Sequence, residues 1–441
     1  MARIEIHGTG SELQGVGRLS DGRAAFVPGA LPGEVVEVEI AREQKRFCEA
    51  RLLRVIEASP ERVAPACPHY GRCGGCGAMH MNYAHTLRLK RQRVFDALER
   101  LGGVENPDVR PVLGCDAPER YRNKAEYALE MRGGRLVAGF MEARSHRVIA
   151  IEDCLLQREE SLRALNWLRA SLEKLGCAGQ LRGIVTRVSR AGALCAVVCA
   201  AAPVQGELRA LAAPMKAALP ELESLYFCQL KPRPAHALDG ACIRLWGADV
   251  LTDELLGLKF ALSPQSFFQV NPPQTEALYR CALDAAQAKP GVRLVDAYCG
   301  AGTISLAAAA RGADVLGVEI VAPAVENARE NAARNGMAKR ARFVCADAAR
   351  EIPRRIASGE RFDAAILDPP RRGADAALLN ALADARIPRV AYVSCNPSTL
   401  ARDIKQLLPH GYKLEWAQPV DMFPWTEHVE TVALLRGEGF S

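Results

Sequence analysis

The chain of 441 residues has no apolar run long enough to span a bilayer, so no membrane segment is expected. Its first ten residues, MARIEIHGTG, lack the apolar block of a secretory leader. A cytoplasmic location is therefore expected, and with it reduced thiols. No charge of one sign dominates: 57 basic and 51 acidic residues leave +6. That balance permits a nucleic-acid partner without requiring one. No coiled-coil pattern marks an oligomerisation helix, so a monomer is expected. Cysteine, by contrast, is plentiful. Fifteen thiols in a reducing compartment point to metal, cluster or catalytic use for some and burial for the rest. With 49% apolar residues the chain can build real cores, and its length suggests two or three domains.

Residues 1–57 are glycine-punctuated and alternate Val with Glu, as in GEVVEVEI. They are expected to form a small antiparallel β-barrel. Arg42, Lys45, Arg46, Arg51 and Arg54 gather late in it, either as a solvated face or as a phosphate-tracking surface. Residues 85–104 place Leu87, Val94, Leu98 and Leu101 at helical spacing before Gly102-Gly103. The other face of that helix carries Arg88, Lys90, Arg91 and Arg93, which reads as a solvated face. A mixed α+β unit with a hairpin through Gly133-Gly134 follows, and 58–252 is assigned to it. From about 280 strands and helices alternate: VRLVDAYCG, ADVLGVEI, ARFVCADA, FDAAILDPP and RVAYVSCNP. Residues 253–441 are therefore expected to be an α/β unit, a doubly wound parallel sheet.

The first of these strands runs into Asp296, then Gly300-Ala301-Gly302, then a helix of small residues. Such glycines let backbone approach a ligand at a helix N-terminus. Glu319 ends the next strand, Asp347 the third and Asp368 the fourth. A dinucleotide fold also puts an acid after its second strand, but Ser305 stands where its third glycine belongs. The succession of acids is better matched by S-adenosylmethionine methyltransferases. Glu319 would then accept two ribose hydroxyls, Asp347 would meet the adenine amine, and Asp296 would face the amino-acid end.

An Asp-Pro-Pro after the fourth strand also occurs in enzymes that methylate base amines, which need no thiol. Carbon 5 of uracil is too weak a nucleophile to attack a methyl sulfonium. A thiolate added at C6 converts the base to an enolate whose C5 can attack. A carboxylate must then remove the C5 proton so that the thiol can leave. Cys395, in YVSCNPSTL, follows the fifth strand, and Glu430 opens the last, 35 residues later. A free cysteine is more often a small buried hydrophobe. Its place after a cofactor-fold strand favours the nucleophile instead.

SPQSFFQVNPPQTEALY, DAYCGAGTISL, ILDPPRRG, VSCNPSTLARD and FPWTEHVETVALL together resemble the motifs of the RNA uracil-5-methyltransferase family over nearly the whole chain. The resemblance implies Cys395 as nucleophile and Glu430 as proton acceptor. It implies cofactor contacts from Gln269, Tyr298, Gly300, Gly302, Glu319, Asp347 and Asp368. Thr303 stands where some members have asparagine. Phe267 and Phe268 are candidates to stack on an extruded base.

CPHYGRCGGC spaces Cys67, Cys73 and Cys76 as C-x5-C-x2-C, and Cys154 is a candidate fourth ligand. Four thiolates suit zinc or an iron–sulfur cluster, and spacing does not choose between them. The resemblance implies a [4Fe-4S] cluster, with a structural or RNA-binding role. Cys195, Cys199, Cys228, Cys242, Cys281 and Cys345 lie in apolar runs and are expected to be buried. The barrel resembles a TRAM domain, and with the cluster it implies 23S rRNA as substrate. Transfer RNA remains the alternative, as does a base-amine methylase with a structural Cys395, or an RNA-binding protein without catalysis.

Overall fold

The computed structural model describes residues 1–143 and 145–439. Among the described residues no helix is long and apolar enough to cross a membrane.

Strands β1 (Ala2–Thr9), β2 (Gly15–Arg18), β3 (Ala24–Val27), β4 (Val35–Glu43) and β5 (Phe47–Glu57) close into a barrel in the order β1-β2-β3-β5-β4. Alternation drives it: Ile4, Ile6, Ala25, Val27, Val36 and Val38 point inward together. The barrel is not wholly antiparallel, because β3 and β5 pair in parallel. A closed ring with an odd number of strands must contain a parallel pair. Of the late basic residues, Arg51 and Arg54 are paired with Glu39 and Glu37 on β4.

Helix α1 (Tyr83–Arg100) follows the cysteine-rich loop. It ends at Leu101, just before the Gly102-Gly103 stop. Lys90, placed on a solvated face by the sequence pattern, is fully buried. Val94, Ala97 and Leu98 join the C-terminal core rather than the middle of the chain.

The middle holds β6 (Lys124–Arg132), β7 (Arg135–Met141), β8 (Val148–Ala150), α2 (Glu159–Leu172), β9 (Leu181–Val188), β10 (Leu194–Ala200), α3 (Gln205–Arg209), α4 (Ala212–Ala218), β11 (Leu222–Leu230) and β12 (Gly240–Gly247). They form one sheet, ordered β12-β11-β10-β9-β6-β7-β8. Gly133 and Gly134, both at positive φ, make the two-residue turn between β6 and β7. A hairpin, β13 (Leu251–Leu255) and β14 (Leu258–Leu262), leads onward.

The C-terminal part alternates α5 (Pro272–Ala285), β15 (Arg293–Ala297), α6 (Thr303–Ala310), β16 (Asp314–Glu319), α7 (Ala322–Arg334), β17 (Ala341–Cys345), α8 (Ala348–Ala357), β18 (Ala364–Leu367), α9 (Ala376–Asp384), β19 (Arg389–Ser394) and α10 (Pro397–Leu407), then β20 (Tyr412–Val420) and β21 (Glu430–Gly437). The sheet order is β17-β16-β15-β18-β19-β21-β20. The first five strands run parallel, and β21 lies antiparallel between β19 and β20. Strand order reverses between β15 and β18, so their carboxyl ends frame the crevice where such sheets bind ligands.

Candidate active site

The turn after β15 is built for close backbone approach. Tyr298 holds a left-handed φ of 67°, and its amide and that of Cys299 both donate to the Val318 carbonyl. The Gly300 amide donates to Oε2 of Glu319 at 3.1 Å, while Oε1 accepts from Val321 at 2.9 Å. Gly302 caps α6 at φ 79°, and a Cβ there would sit 2.8 Å from the Phe343 ring. Both the backbone angle and the ring therefore require glycine. Thr303 Oγ1 lies 2.9 Å from the Tyr279 hydroxyl. Asp347 caps α8, accepting from the Ala349 amide.

Asp296 lies in β15, one residue before its end. It is fully buried, receives the Ser305 hydroxyl at 2.5 Å, and leaves Oδ1 without a partner. Burial raises its carboxyl to about 7, with the Asp368 and Glu319 charges adding to the rise. Ser305, in the place of a third glycine, ties the helix to the strand beneath the loop. Cys345 is exposed, against the expectation of burial. It ends the edge strand, where the sheet opens beside exposed Ile320 and Val321.

Gln269 lies in the segment between β14 and α5. Asn123 pins that segment to the middle sheet: its side chain donates to the Gln269 carbonyl and its amide to the Val270 carbonyl. The two neighbouring phenylalanines part company. Phe268 is core, packed on Phe260, whereas Phe267 is 73% exposed.

Cys395 and Glu430 meet through the sheet. Ser394 on β19 pairs with Thr431 on β21. Cys395 directly follows Ser394 and Glu430 directly precedes Thr431, so both flank this last pair, and the Glu430 charge acts on the Cys395 thiol. Pro397 starts α10 and Asn396 caps it, so the strand must end at this thiol. Burial raises the Cys395 thiol to about 11, and the carboxylates of Glu430 and Asp368 add to the rise against Arg371. Burial likewise raises Glu430 to about 8, with Asp368 adding and Arg371 opposing. Asp368 itself is lifted to about 7 by burial. One thiol, two carboxyls and one guanidinium thus share a crevice at the carboxyl ends of β18 and β19. In ILDPPRRG nothing in the pattern distinguishes Arg371 from Arg372.

Cys67, Cys73, Cys76 and Cys154 line one cavity of about 370 Å³, although 78 residues separate the last two. Among the described residues no three Cys, His, Asp or Glu side chains are close enough together to hold a metal ion. The donor set fits a thiolate-bound cluster in kind. Arg187 also lines this cavity, buried, with Nε and Nη1 unpartnered.

A model of the tRNA (Uracil-5-)-methyltransferase family matches residues 256–438, and a TRAM-domain model matches residues 2–53. The chain is 40% identical over 426 residues to an uncharacterized RNA methyltransferase of Halalkalibacterium halodurans, covering 94% of this chain and 93% of that protein. It is 38% identical to another from Clostridium tetani, covering 99% and 96%. Among solved structures, the Pyrococcus abyssi tRNA (uracil-54, C5)-methyltransferase in complex with S-adenosyl-L-homocysteine matches at a TM-score of 0.77 and 27% identity. That match covers 98% of this chain and 100% of the other. Fold and relatives define an S-adenosylmethionine-dependent RNA methyltransferase. More narrowly, the chain belongs to the tRNA (uracil-5-)-methyltransferase family and carries an N-terminal TRAM domain.

Proposed function

We propose that the protein methylates C5 of a uridine in RNA through a covalent adduct between Cys395 and C6 of the base. The observation that carries this reading is the nearness of Cys395 and Glu430, which flank the last β19–β21 pair, with Asp368 and Arg371 acting on both. The Cys395 sulfur adds to C6, and the electron pair moves to the C4 oxygen. Bound S-adenosylmethionine supplies an electrophilic methyl group. Once C5 carries it, Glu430 takes the C5 proton, the C5–C6 double bond forms, and the C6–sulfur bond breaks. Glu319, Asp347, Gln269, Tyr298, Asp368, Gly300, Gly302 and Thr303 form the cofactor site in this reading. Exposed Phe267 supplies a stacking face for the extruded base.

We assign residues 1–57 to the RNA-binding barrel, 58–252 to the cysteine-bearing middle and 253–441 to the methyltransferase unit, in a cytoplasmic monomer. The leading substrate is 23S rRNA, on the resemblance of barrel and cysteine motif together. Transfer RNA is the second reading, and the Pyrococcus relative favours it. Incubating unmodified rRNA and tRNA separately with the protein and labelled cofactor decides between them. 5-Methyluridine should appear in rRNA; label in tRNA alone would reassign the substrate, and N-methylated bases would reject the C5 reading.

Cys67, Cys73, Cys76 and Cys154 would hold the [4Fe-4S] cluster. Their convergence on one cavity supports this, and the methylation steps above call for no electron transfer from it. Protein purified without oxygen should contain about four irons and four sulfides per chain, the composition of such a cluster. Zinc at about one per chain would replace that assignment.

A further inference from the structure

The segment Asp421–Val429 delivers Glu430 to the crevice, and its backbone is held from the N-terminal half of the chain. Lys90 Nζ donates to Asp421 Oδ1 at 2.5 Å and to the Phe423 carbonyl at 3.1 Å. Both partners of this ion pair are fully buried. The Tyr83 hydroxyl donates to the other Asp421 oxygen at 2.7 Å and accepts from the Cys115 amide. Tyr121 donates to the Pro424 carbonyl, and Arg93 to that of Glu427 at 2.7 Å. The amides of Gly77 and Ala78, next to Cys76, both donate to the Trp425 carbonyl at 3.0 Å. Trp425 itself sits at φ 65°, a conformation a bulky residue keeps only when its surroundings impose it.

The same helix also holds the thiol. Helix α1 packs on α10, which begins two residues after Cys395. Val94 and Leu98 share a core with Leu400 and Ile404. One rigid helix thus contacts the element after Cys395 and the segment before Glu430.

We infer that Lys90 and Arg93 are positioning residues that fix the reach of Glu430 to the C5 proton, with α1 as a strut between nucleophile and base. The inference rests on the reading of Glu430 as that base. A base works only within hydrogen-bond reach of its proton. Loosening the segment therefore slows the last step, in which the C5–H bond breaks to the carboxylate and the sulfur leaves, while sparing attack by Cys395.

The test follows one turnover on RNA, reading formation and resolution of a denaturation-stable protein–RNA adduct separately. The variants are the double Lys90→Met/Asp421→Asn, which removes both buried charges together, and Arg93→Met, which removes one half-buried donor and keeps the test available if the double variant does not fold. Glu430→Gln is the reference. In the variants the adduct should form at nearly the wild-type rate but resolve about 10- to 100-fold more slowly, as expected for a displaced base. Equal slowing of both steps, as a general loss of structure gives, would overturn the inference, and so would resolution at the wild-type rate. Adduct trapping in Glu430→Gln but not in the α1 variants overturns this inference alone. No trapping in Glu430→Gln overturns the reading of Glu430 itself, and this inference with it.

Discussion

Cys395 and Glu430 are each held protonated by burial in the free protein, the thiol up to about 11 and the carboxyl up to about 8. The chemistry requires both in their ionised forms. The sign follows directly: a carboxyl with a raised pKa is an acid below that value and a base only above it. kcat/KM reports the ionisations of the free enzyme, so it should climb through about pH 8 with Glu430 and go on rising towards about 11 with Cys395. Tritium release from C5-labelled RNA across that range measures it. A profile flat from about pH 6 to 9 would contradict the environment assigned to Glu430. Asp368 and Arg371 act on the same pair in opposite senses, the carboxylate raising both groups and the guanidinium lowering them. Such opposed charges around a nucleophile and a base are what a site of proton transfer needs.

At the scale of elements, the loop between β15 and α6 carries the clearest prediction. Gly302 combines a left-handed backbone with a ring 2.8 Å from where a Cβ would stand. Gly302→Ala must either strain the N-terminus of α6 or push Phe343 aside. Calorimetric titration with S-adenosyl-L-homocysteine should show binding weakened about tenfold or more, the scale of one strained backbone position. Unchanged affinity would mean that this turn does not contact the cofactor. The five parallel strands were legible as apolar runs ended by acids and glycines, because burial on both faces leaves a continuous signal. The parallel β3–β5 pair was not, since it follows from closing a ring rather than from any local pattern. Nor was the burial of Lys90. A lysine among arginines on a helix looks solvated until a distant aspartate, here Asp421, meets it inside. The hydrogen bond from Ser305 to Asp296 was not legible either, since only packing brings the two together.

Over the whole molecule, the chain folds back so that its N-terminal half holds segments of the C-terminal part. Asn123 fixes the segment that carries Gln269, α1 reaches the segment before Glu430, and Gly77 and Ala78 cap Trp425. The neighbourhood of Cys395 and Glu430, the proposed catalytic pair, was legible because both sit at strand ends within recognisable motifs. The supports were not, since contacts such as Lys90 to Asp421 span 331 residues. The central claim concerns the pair itself. The most direct test labels unmodified rRNA with tritium at uracil C5 and counts tritium released to water in the presence of S-adenosylmethionine. Cofactor-dependent release that disappears in Cys395→Ala is the predicted result. Methyl transfer to the RNA without tritium release, or release that persists in Cys395→Ala, would contradict the account.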